Sequence, residues 1–427
     1  MTVTPLTHPE AGIPPVIDTS AGLAEVFSDL KAGHGPIAID AERASGYKYS
    51  QRAYLIQIKR HGGGLHLIDP VAIGETDIWQ SMSKEFADCE WIIHASTQDL
   101  ACLREVGLEP QRLFDTELGG RIAGCERVGL GALTEELLER SLAKEHSAVD
   151  WSLRPLKEDW LNYAALDVEL LVELRDAVEQ LLLSQGKLNW ALQDFDAILK
   201  APAPAPRIDP WRRTSGMHKV RDRRTLAIVK ALWQARDSFA REIDISPGRL
   251  FNDELLMQIA TKRPAGVGDM RKWITRRSRV TNQPIEHWFD LMNEAIALPE
   301  DQLPELRIKS DSLPPPKSWD KRNPPAYARH THARHQISEL ADDLAMPVEN
   351  LISPEPLRRL CWVDPPVEVN QAPLFIEETL SSYGVRPWQI AQVTPVLLDA
   401  LYQREPLIVE APEENSPDSG EQESDPV

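Results

Sequence analysis

The sequence predicts an α/β domain built on a mixed sheet with flanking helices, followed by two small all-helical domains. Short apolar runs bounded by turn or charged residues fill the first hundred positions, as strands do, and helical patterns follow them. The repeat Ala201-Pro-Ala-Pro-Ala-Pro206, in which proline denies both helix and ladder bonding, closes that block. Beyond it the apolar residues recur at helical spacing.

The runs Ile37–Ile39, Ala53–Ile58, Leu65–Ile68 and Trp91–His94 predict strands, and His61-Gly-Gly-Gly64 fits a hairpin loop. Helical patterns cover Asp99–Val106, Leu130–Arg140 and Lys157–Gln185. Strands before helices is the order of a mixed α/β layer. At 427 residues the chain exceeds one ordinary core. We divide it into a disordered N-terminus (1–15), the α/β domain (16–200), a Pro-rich linker (201–215), a helical domain (216–300), a second linker (301–325), a second helical domain (326–404) and an acidic disordered tail (405–427). The two helical domains read as one unit used twice. A shift of 101 residues superposes Phe239–Ile245 on Leu340–Met346, Leu250-Phe251 on Leu351-Ile352, and Ile259-Ala260 on Leu360-Cys361. Helix starts coincide as well, with Asn252 as a cap in one copy and Ser353, followed by Pro354, in the other.

A net charge of −19 argues at first against a nucleic-acid partner, but charge is segregated by region. Residues 405–427 carry eight acids and no Lys or Arg, whereas residues 207–281 hold 18 Lys and Arg against 8 Asp and Glu. Taken alone, that basic stretch is as consistent with a solvated face as with a phosphate-binding one. No apolar run reaches the length of a membrane span, so no membrane partner is expected. Met1 to Pro15 lacks the basic start and apolar core of a secretory signal. The four cysteines are scattered without a C-x-x-C pair, which argues against structural zinc and a disulfide framework. A reducing cytoplasm is the expected location.

In Pro36-Ile-Ala-Ile-Asp40-Ala-Glu42 the strand period of two sends Asp40 and Glu42 to one face. That spacing is weak evidence by itself, since Asp115-Thr-Glu117 and Asp167-Val-Glu169 share it. Asp167 is more telling. On a helical wheel Trp160, Tyr163, Ala164, Leu170, Leu171, Leu174, Val178 and Leu181 fall within about 60° of it. An acid thus stands where the pattern calls for Leu or Ala, while Glu158, Asn162, Glu169, Glu173 and Asp176 take the opposite side. Burying a carboxylate without a cation is costly, and local inconsistency of this kind is expected at functional sites. Tyr163, one turn earlier, is the polar neighbour on that face. Asp99 opens a helix after Trp91–His94, where the plain reading is an acid favoured by the helix dipole; Asp115 reads as a cap for the helix that follows it.

Asp40-Ala-Glu42, His94-Ala-Ser-Thr-Gln-Asp99 and Tyr163-Ala-Ala-Leu-Asp167 together resemble the three exonuclease motifs of the DEDD superfamily, in the subgroup with tyrosine in the third motif. Asp150-Trp-Ser-Leu-Arg-Pro-Leu156, leading into that third motif, is similar to the segment typical of ribonuclease D. Residues 219–299 resemble the HRDC domain, and Tyr327 to Arg404 resembles the divergent second copy found in that family. The resemblance implies a ribonuclease H-like exonuclease domain and hydrolysis of RNA from its 3′ end. It departs from the family at Ala41, often Thr there, and at Arg43, where an apolar residue is usual. Ala41 lies on the other strand face and should not affect metal binding; Arg43 leaves the nearby substrate contacts open.

Phosphodiester hydrolysis must neutralise charge on an attacking water and on a leaving oxygen, and two divalent ions about 4 Å apart do both. Oxygen ligands without a thiolate or histidine cluster suit Mg²⁺ or Mn²⁺. The resemblance makes Asp40, Glu42, Asp99 and Asp167 the ligands. Tyr163 would orient the water, since a phenol near pKa 10 is a poor base at neutral pH. Affinity for a polyanion must come from elsewhere, and Arg221, Arg223, Arg224, Lys262, Arg263, Lys272, Arg276 and Arg277 are the candidate phosphate contacts. On this reading the basic domain is a tether, and the α/β domain alone should keep its activity on short strands. The implied partner is structured RNA with a free 3′ end, such as tRNA precursors, with no stable protein partner. Two rivals stand beside this reading: a DNA 3′→5′ exonuclease and an inactive RNA-binding scaffold. The intact set of acids and tyrosine speaks against the scaffold.

Overall fold

The computed structural model describes residues 3–143, 149–203, 205–277, 284–308 and 312–407. Two short strands, β1 (Thr4–Leu6) and β2 (Val16–Ile17), precede α1 (Ser20–Ala32), β3 (His34–Arg43), β4 (Ala53–His61) and β5 (Gly64–Ile68). Then come α2 (Pro70–Ile73), α3 (Asp77–Glu85), β6 (Glu90–Ile93), α4 (Leu100–Val106), β7 (Arg112–Asp115), α5 (Thr116–Ala123), α6 (Leu130–Leu138) and β8 (Arg140–Leu142). The helices α7 (Glu158–Glu169), α8 (Leu171–Ser184) and α9 (Leu188–Lys200) complete the α/β domain.

Six strands form one mixed sheet in the order β2-β5-β4-β3-β6-β7. β3, β4 and β5 are an antiparallel meander, with the β4–β5 turn made at Gly62 (φ 71°), a left-handed position that glycine adopts without strain. β6 lies parallel to β3, and β7 parallel to β6. The centre of β3 is fully buried at Ile37, Ala38 and Ile39, which fixes its register and so the face that Asp40 and Glu42 occupy.

Two expectations fail here for non-local reasons. Residues 3–15, expected to be disordered, are bonded into the fold: β1 pairs in parallel with β8, Asn162 Nδ2 donates to the Thr7 carbonyl at 2.8 Å, and the Glu10 amide donates to Glu169 Oε1 at 3.0 Å. The helix expected over Lys157–Gln185 is two helices that break at Leu170. Lys59 Nζ, reaching across from β4, takes the Glu169 carbonyl at 2.5 Å and its carboxylate at 3.1 Å. Glu169 is therefore buried, not on the solvated face where the wheel placed it.

The first helical domain contains α10 (Arg223–Glu242), α11 (Pro247–Leu250), α12 (Asp253–Lys262), α13 (Val267–Arg277) and α14 (Ile285–Ala297) around a core of Ile228, Leu232, Leu255, Ile259 and Trp288. Its chain begins inside the expected linker, where Trp211 is buried and Lys230 of α10 stands over the Trp211 ring. Residues 1–311 form one compact unit, so this domain packs with the α/β domain. The other unit, Ser312–Val427, holds α15 (Trp319–Arg322), α16 (Pro324–Asp343), α17 (Val348–Leu351), α18 (Pro354–Trp362), α19 (Ala372–Ser382) and α20 (Pro387–Ala400). The 101-residue repeat reappears in the helix starts: 223 and 324, 247 and 348, 253 and 354. Asn252 caps α12 by accepting from the Leu255 amide, whereas Ser353 makes no side-chain cap and Pro354 alone opens α18. Of the acidic tail, residues 408–427 lie outside the described residues; Glu405 and Leu407 are bonded to His332 and Thr331 of α16.

Candidate active site

Because β3 and β6 are parallel neighbours, their C-terminal ends open at the same sheet edge, beside the antiparallel β4. Crevices at such ends are where open α/β sheets bind ligands. α7 packs across β3, β4 and β5 and brings Tyr163 and Asp167 to that edge. Asp40, Glu42, Asp99, Tyr163 and Asp167 all line one cavity of about 480 Å³.

Asp40, Glu42 and Asp167 each offer a carboxylate oxygen within 4.8 Å of the others. Asp99 lines the same cavity but stands outside that tight group, with the Arg43 guanidinium 3.5 Å from its carboxylate. It begins α4 without a side-chain cap bond, and its carboxylate is turned to the cavity and Arg43. Arg43 also reaches Gln98, and among the described residues it is the one Lys or Arg lining the cavity.

The loop that carries Asp99 is built by Asp115. β6 and β7 pair with Ile93 opposite Asp115, which brings that carboxylate under the loop. It accepts from the Ala95 amide at 3.1 Å, from the Ser96 amide at 2.8 Å and from the Ser96 hydroxyl at 2.7 Å. It also caps α5 through the Glu117 and Leu118 amides, as the sequence predicts. Hydrogen bonds to a charged acceptor contribute about 1.5–3 kcal/mol each, enough to hold Ala95 in its left-handed conformation (φ 57°). The Asp150–Leu156 segment is likewise a fastener. Trp151 is fully buried edge-on to Trp160 of α7, and Arg154 bonds Asp69 at 2.5 Å and the Tyr54 carbonyl at 2.8 Å.

Crowding four acids at a dry edge lifts their pKa values. Burial, opposed by the Ala41 amide and Arg43, takes Asp40 up to about 6, and burial together with the Asp40 charge takes Asp99 up to about 8. Glu42 and Asp167 are held well above the carboxylate range, by burial first and by neighbouring acids next. The Tyr163 hydroxyl donates to Asp167, and burial plus the surrounding acids raise its own pKa far above the phenol range. This oxygen-only donor set, with its excess negative charge, fits divalent cations.

The folded protein therefore holds protons more tightly than the unfolded chain, and its metal-free stability falls as pH rises from the ordinary carboxyl value of 3.8 until Asp40 ionises in the fold at about 6 and Asp99 at about 8. The melting temperature without metal should drop across that interval, and the stabilisation given by Mg²⁺ should grow across it. Calorimetric scans with chelator and with Mg²⁺ check both; a pH-independent response to Mg²⁺ would contradict the assigned burial of charge.

The basic candidates scatter. Arg223 bonds the Leu303 and Pro304 carbonyls, and Arg224 bonds the Ile296 and Leu298 carbonyls and Glu300. Arg224 thus fastens the end of α14 and Arg223 the segment beyond it, so both guanidiniums are engaged within the fold. Arg221 bonds the His218 carbonyl, and Arg263 faces Asp222 and Thr225. Lys262 and Lys272 are exposed, Lys272 with Asp269 nearby. The side chains of Arg276 and Arg277 lie outside the described residues.

Residues 14–183 match the 3′-5′ exonuclease domain family, residues 225–289 the HRDC domain, and residues 312–401 the 3′ to 5′ exonuclease C-terminal domain. A ribonuclease D of Psychromonas ingrahamii is 26% identical over 360 residues, covering 82% of this chain and 90% of its own. One from Gluconacetobacter diazotrophicus is 35% identical over 181 residues, 41% of this chain and 45% of its own. A crystal structure of a protein from Bifidobacterium adolescentis superposes with a TM-score of 0.83 at 38% identity, over 93% of this chain and 99% of that one. Escherichia coli RNase D, described as an exoribonuclease involved in structured RNA processing, shares the fold with a TM-score of 0.62 at 24% identity, over 91% and 98%. With the exonuclease edge, the HRDC domain and the C-terminal helical domain in one order along the sequence, the chain belongs to the ribonuclease D family.

Proposed function

We propose that the protein is a 3′→5′ exoribonuclease that uses Mg²⁺ or Mn²⁺ and trims structured RNA such as tRNA precursors. The observation that carries the reading is the cluster of Asp40, Glu42 and Asp167 oxygens within 4.8 Å, in a cavity shared with Asp99 and Tyr163. Those four carboxylates would hold two divalent cations, which supply charge neutralisation for the attacking water and the leaving oxygen. Tyr163, anchored to Asp167, presents its hydroxyl to the attacking water and orients it. Its raised pKa makes it a donor and not a base. Asp115 acts one step back, keeping the Ala95–Asp99 loop in place.

The test is degradation of matched RNA and DNA, labelled at either end, with and without Mg²⁺. A 5′ label should persist on progressively shorter RNA while a 3′ label leaves at once as a mononucleotide, and chelator should stop both. Equal or faster loss of DNA would move the assignment to a DNA exonuclease.

Exposed Lys262 and Lys272 are taken on this reading as phosphate contacts of the HRDC domain, beside the candidates Arg221, Arg263, Arg276 and Arg277. Changing both to Ala should weaken binding of structured RNA and reduce the slope of log K against log salt by about 1 to 2. Arg224→Ala should instead lower the melting temperature with the slope unchanged, because its guanidinium closes the end of α14. Equilibrium titrations of tRNA at several salt concentrations separate the two.

A further inference from the structure

Between β3 and β4 the chain runs through a strap, residues 44–52, that belongs to neither strand. Ser45, Gly46 and Tyr47 line the catalytic cavity, and Tyr47 packs on the same apolar cluster as Tyr163 and Trp160. The strap is thus a wall of the site, directly following Glu42 and Arg43.

Its outer side is held by the turn between α10 and α11 of the first HRDC domain. The Ser246 amide donates to the Tyr47 carbonyl at 2.9 Å. Arg249 Nε donates to the Gly46 carbonyl at 2.7 Å, with its guanidinium 3.8 Å from the centre of the Tyr47 ring. Asp244 accepts from the Ser50 amide at 2.8 Å and also meets Arg52 and the Tyr54 hydroxyl. The Tyr49 hydroxyl bonds Asp237 at 3.1 Å and packs against the helical core. Backbone groups on a sheet-free segment need partners from elsewhere, and for Gly46, Tyr47 and Ser50 the HRDC domain supplies them.

We propose that the first HRDC domain is a positioning element of the catalytic site: through Asp244 and Arg249 it fixes the strap, and thereby sets turnover even on RNAs too short to reach its basic surface. This rests on the exoribonuclease reading of the site. It reverses the expectation for a tether, under which the α/β domain alone keeps its activity on short strands. Asp244 and Arg249 are positioning residues that act through Gly46, Tyr47 and Ser50.

The test uses the full-length chain carrying Asp244→Asn and Arg249→Met. Asn tolerates the left-handed backbone at position 244 (φ 49°), and Met keeps the stem over Tyr47 while removing the donor. Two quantities are read: deuterium uptake of residues 44–52 without substrate, and kcat and KM on a tetranucleotide RNA in Mg²⁺. Uptake should rise, and kcat should fall on the order of 10- to 100-fold, as misplacement of a catalytic wall does. KM should stay within about twofold, because no substrate contact is lost. Arg249→Lys alone, which retains a donor, should recover most of the rate lost in Arg249→Met. Wild-type kcat with a loosened strap would overturn the proposal, as would unchanged uptake. A raised KM with a shallower salt dependence would make Arg249 a phosphate contact and overturn it too. If the wild-type protein degraded only DNA, the exoribonuclease reading would fall, and the same comparison on a DNA tetranucleotide would still decide the strap.

Discussion

Asp40→Asn and Asp167→Asn are each expected to abolish turnover in Mg²⁺ while leaving the fold intact and RNA binding largely unchanged. Each change removes an oxygen ligand and a charge from the group that lies within 4.8 Å, and no core contact goes with it. The loss should exceed the roughly 10²- to 10³-fold that follows removal of one preorganised hydrogen bond, since the cation site itself is impaired. Stability should move the other way. Asp40 ionises in the fold only against burial, and Asp167 against burial and the Asp40 charge, so a neutral Asn removes that cost and should raise the melting temperature without metal above about pH 6. Mg²⁺ should then stabilise the variants less than the wild type. Turnover and calorimetry, each with and without Mg²⁺, make the comparison, and a fully active variant would remove that acid from the site.

The parts of the site legible in the sequence are those that depend on local periodicity. Asp40 and Glu42 share a face because a strand alternates, and Asp167 is conspicuous because its wheel is otherwise apolar; neither inference needs a tertiary contact. Asp99 gives a weaker signal, since an acid at a helix start has an ordinary explanation in the helix dipole, and its place in the cavity beside the other acids comes only from the fold. What the sequence hid is set by pairing between distant segments. Asp115 was legible as a cap, but its hold on Ala95 and Ser96 depends on the β6–β7 register. Lys59 and Glu169 meet across 110 positions, and that meeting ends α7 and buries a residue the wheel assigned to solvent. Arg223 and Arg224 looked free in a basic stretch, yet their partners lie some 70 to 80 residues on. The basic domain likewise read as a separate tether, because nothing local in Gly46 or Ser50 announces that Arg249 and Asp244 will satisfy them.

Tyr163→Phe should be slow but not dead. The change deletes one hydroxyl and keeps the ring against the cluster of Trp160, Ala164 and Tyr54, so folding should be nearly unaffected. Turnover should fall about 10²- to 10³-fold, the usual cost of one oriented hydrogen bond in a preorganised site, and should remain well above that of the Asp variants. The pH dependence then separates two roles for the phenol. Buried among Asp167, Glu42 and Asp40, it holds its proton more tightly than free tyrosine does, which disqualifies it as a base at neutral pH. If it orients the water, the rise of rate with pH would belong to the water acidified by the metals and to proton loss from the carboxylates as they take up metal, and should persist in Tyr163→Phe at lower amplitude. If it were the base, that limb should vanish with the hydroxyl. One coupling complicates the shape of the curve in a predictable direction. The Tyr163 hydroxyl stabilises the ionised Asp167, so its removal should push Asp167 further up and displace the surviving limb toward higher pH. A limb that persists, weakened and displaced upward, is thus the signature of an orienting tyrosine; a Phe variant with wild-type rates at every pH would leave four carboxylates with no group to aim the water.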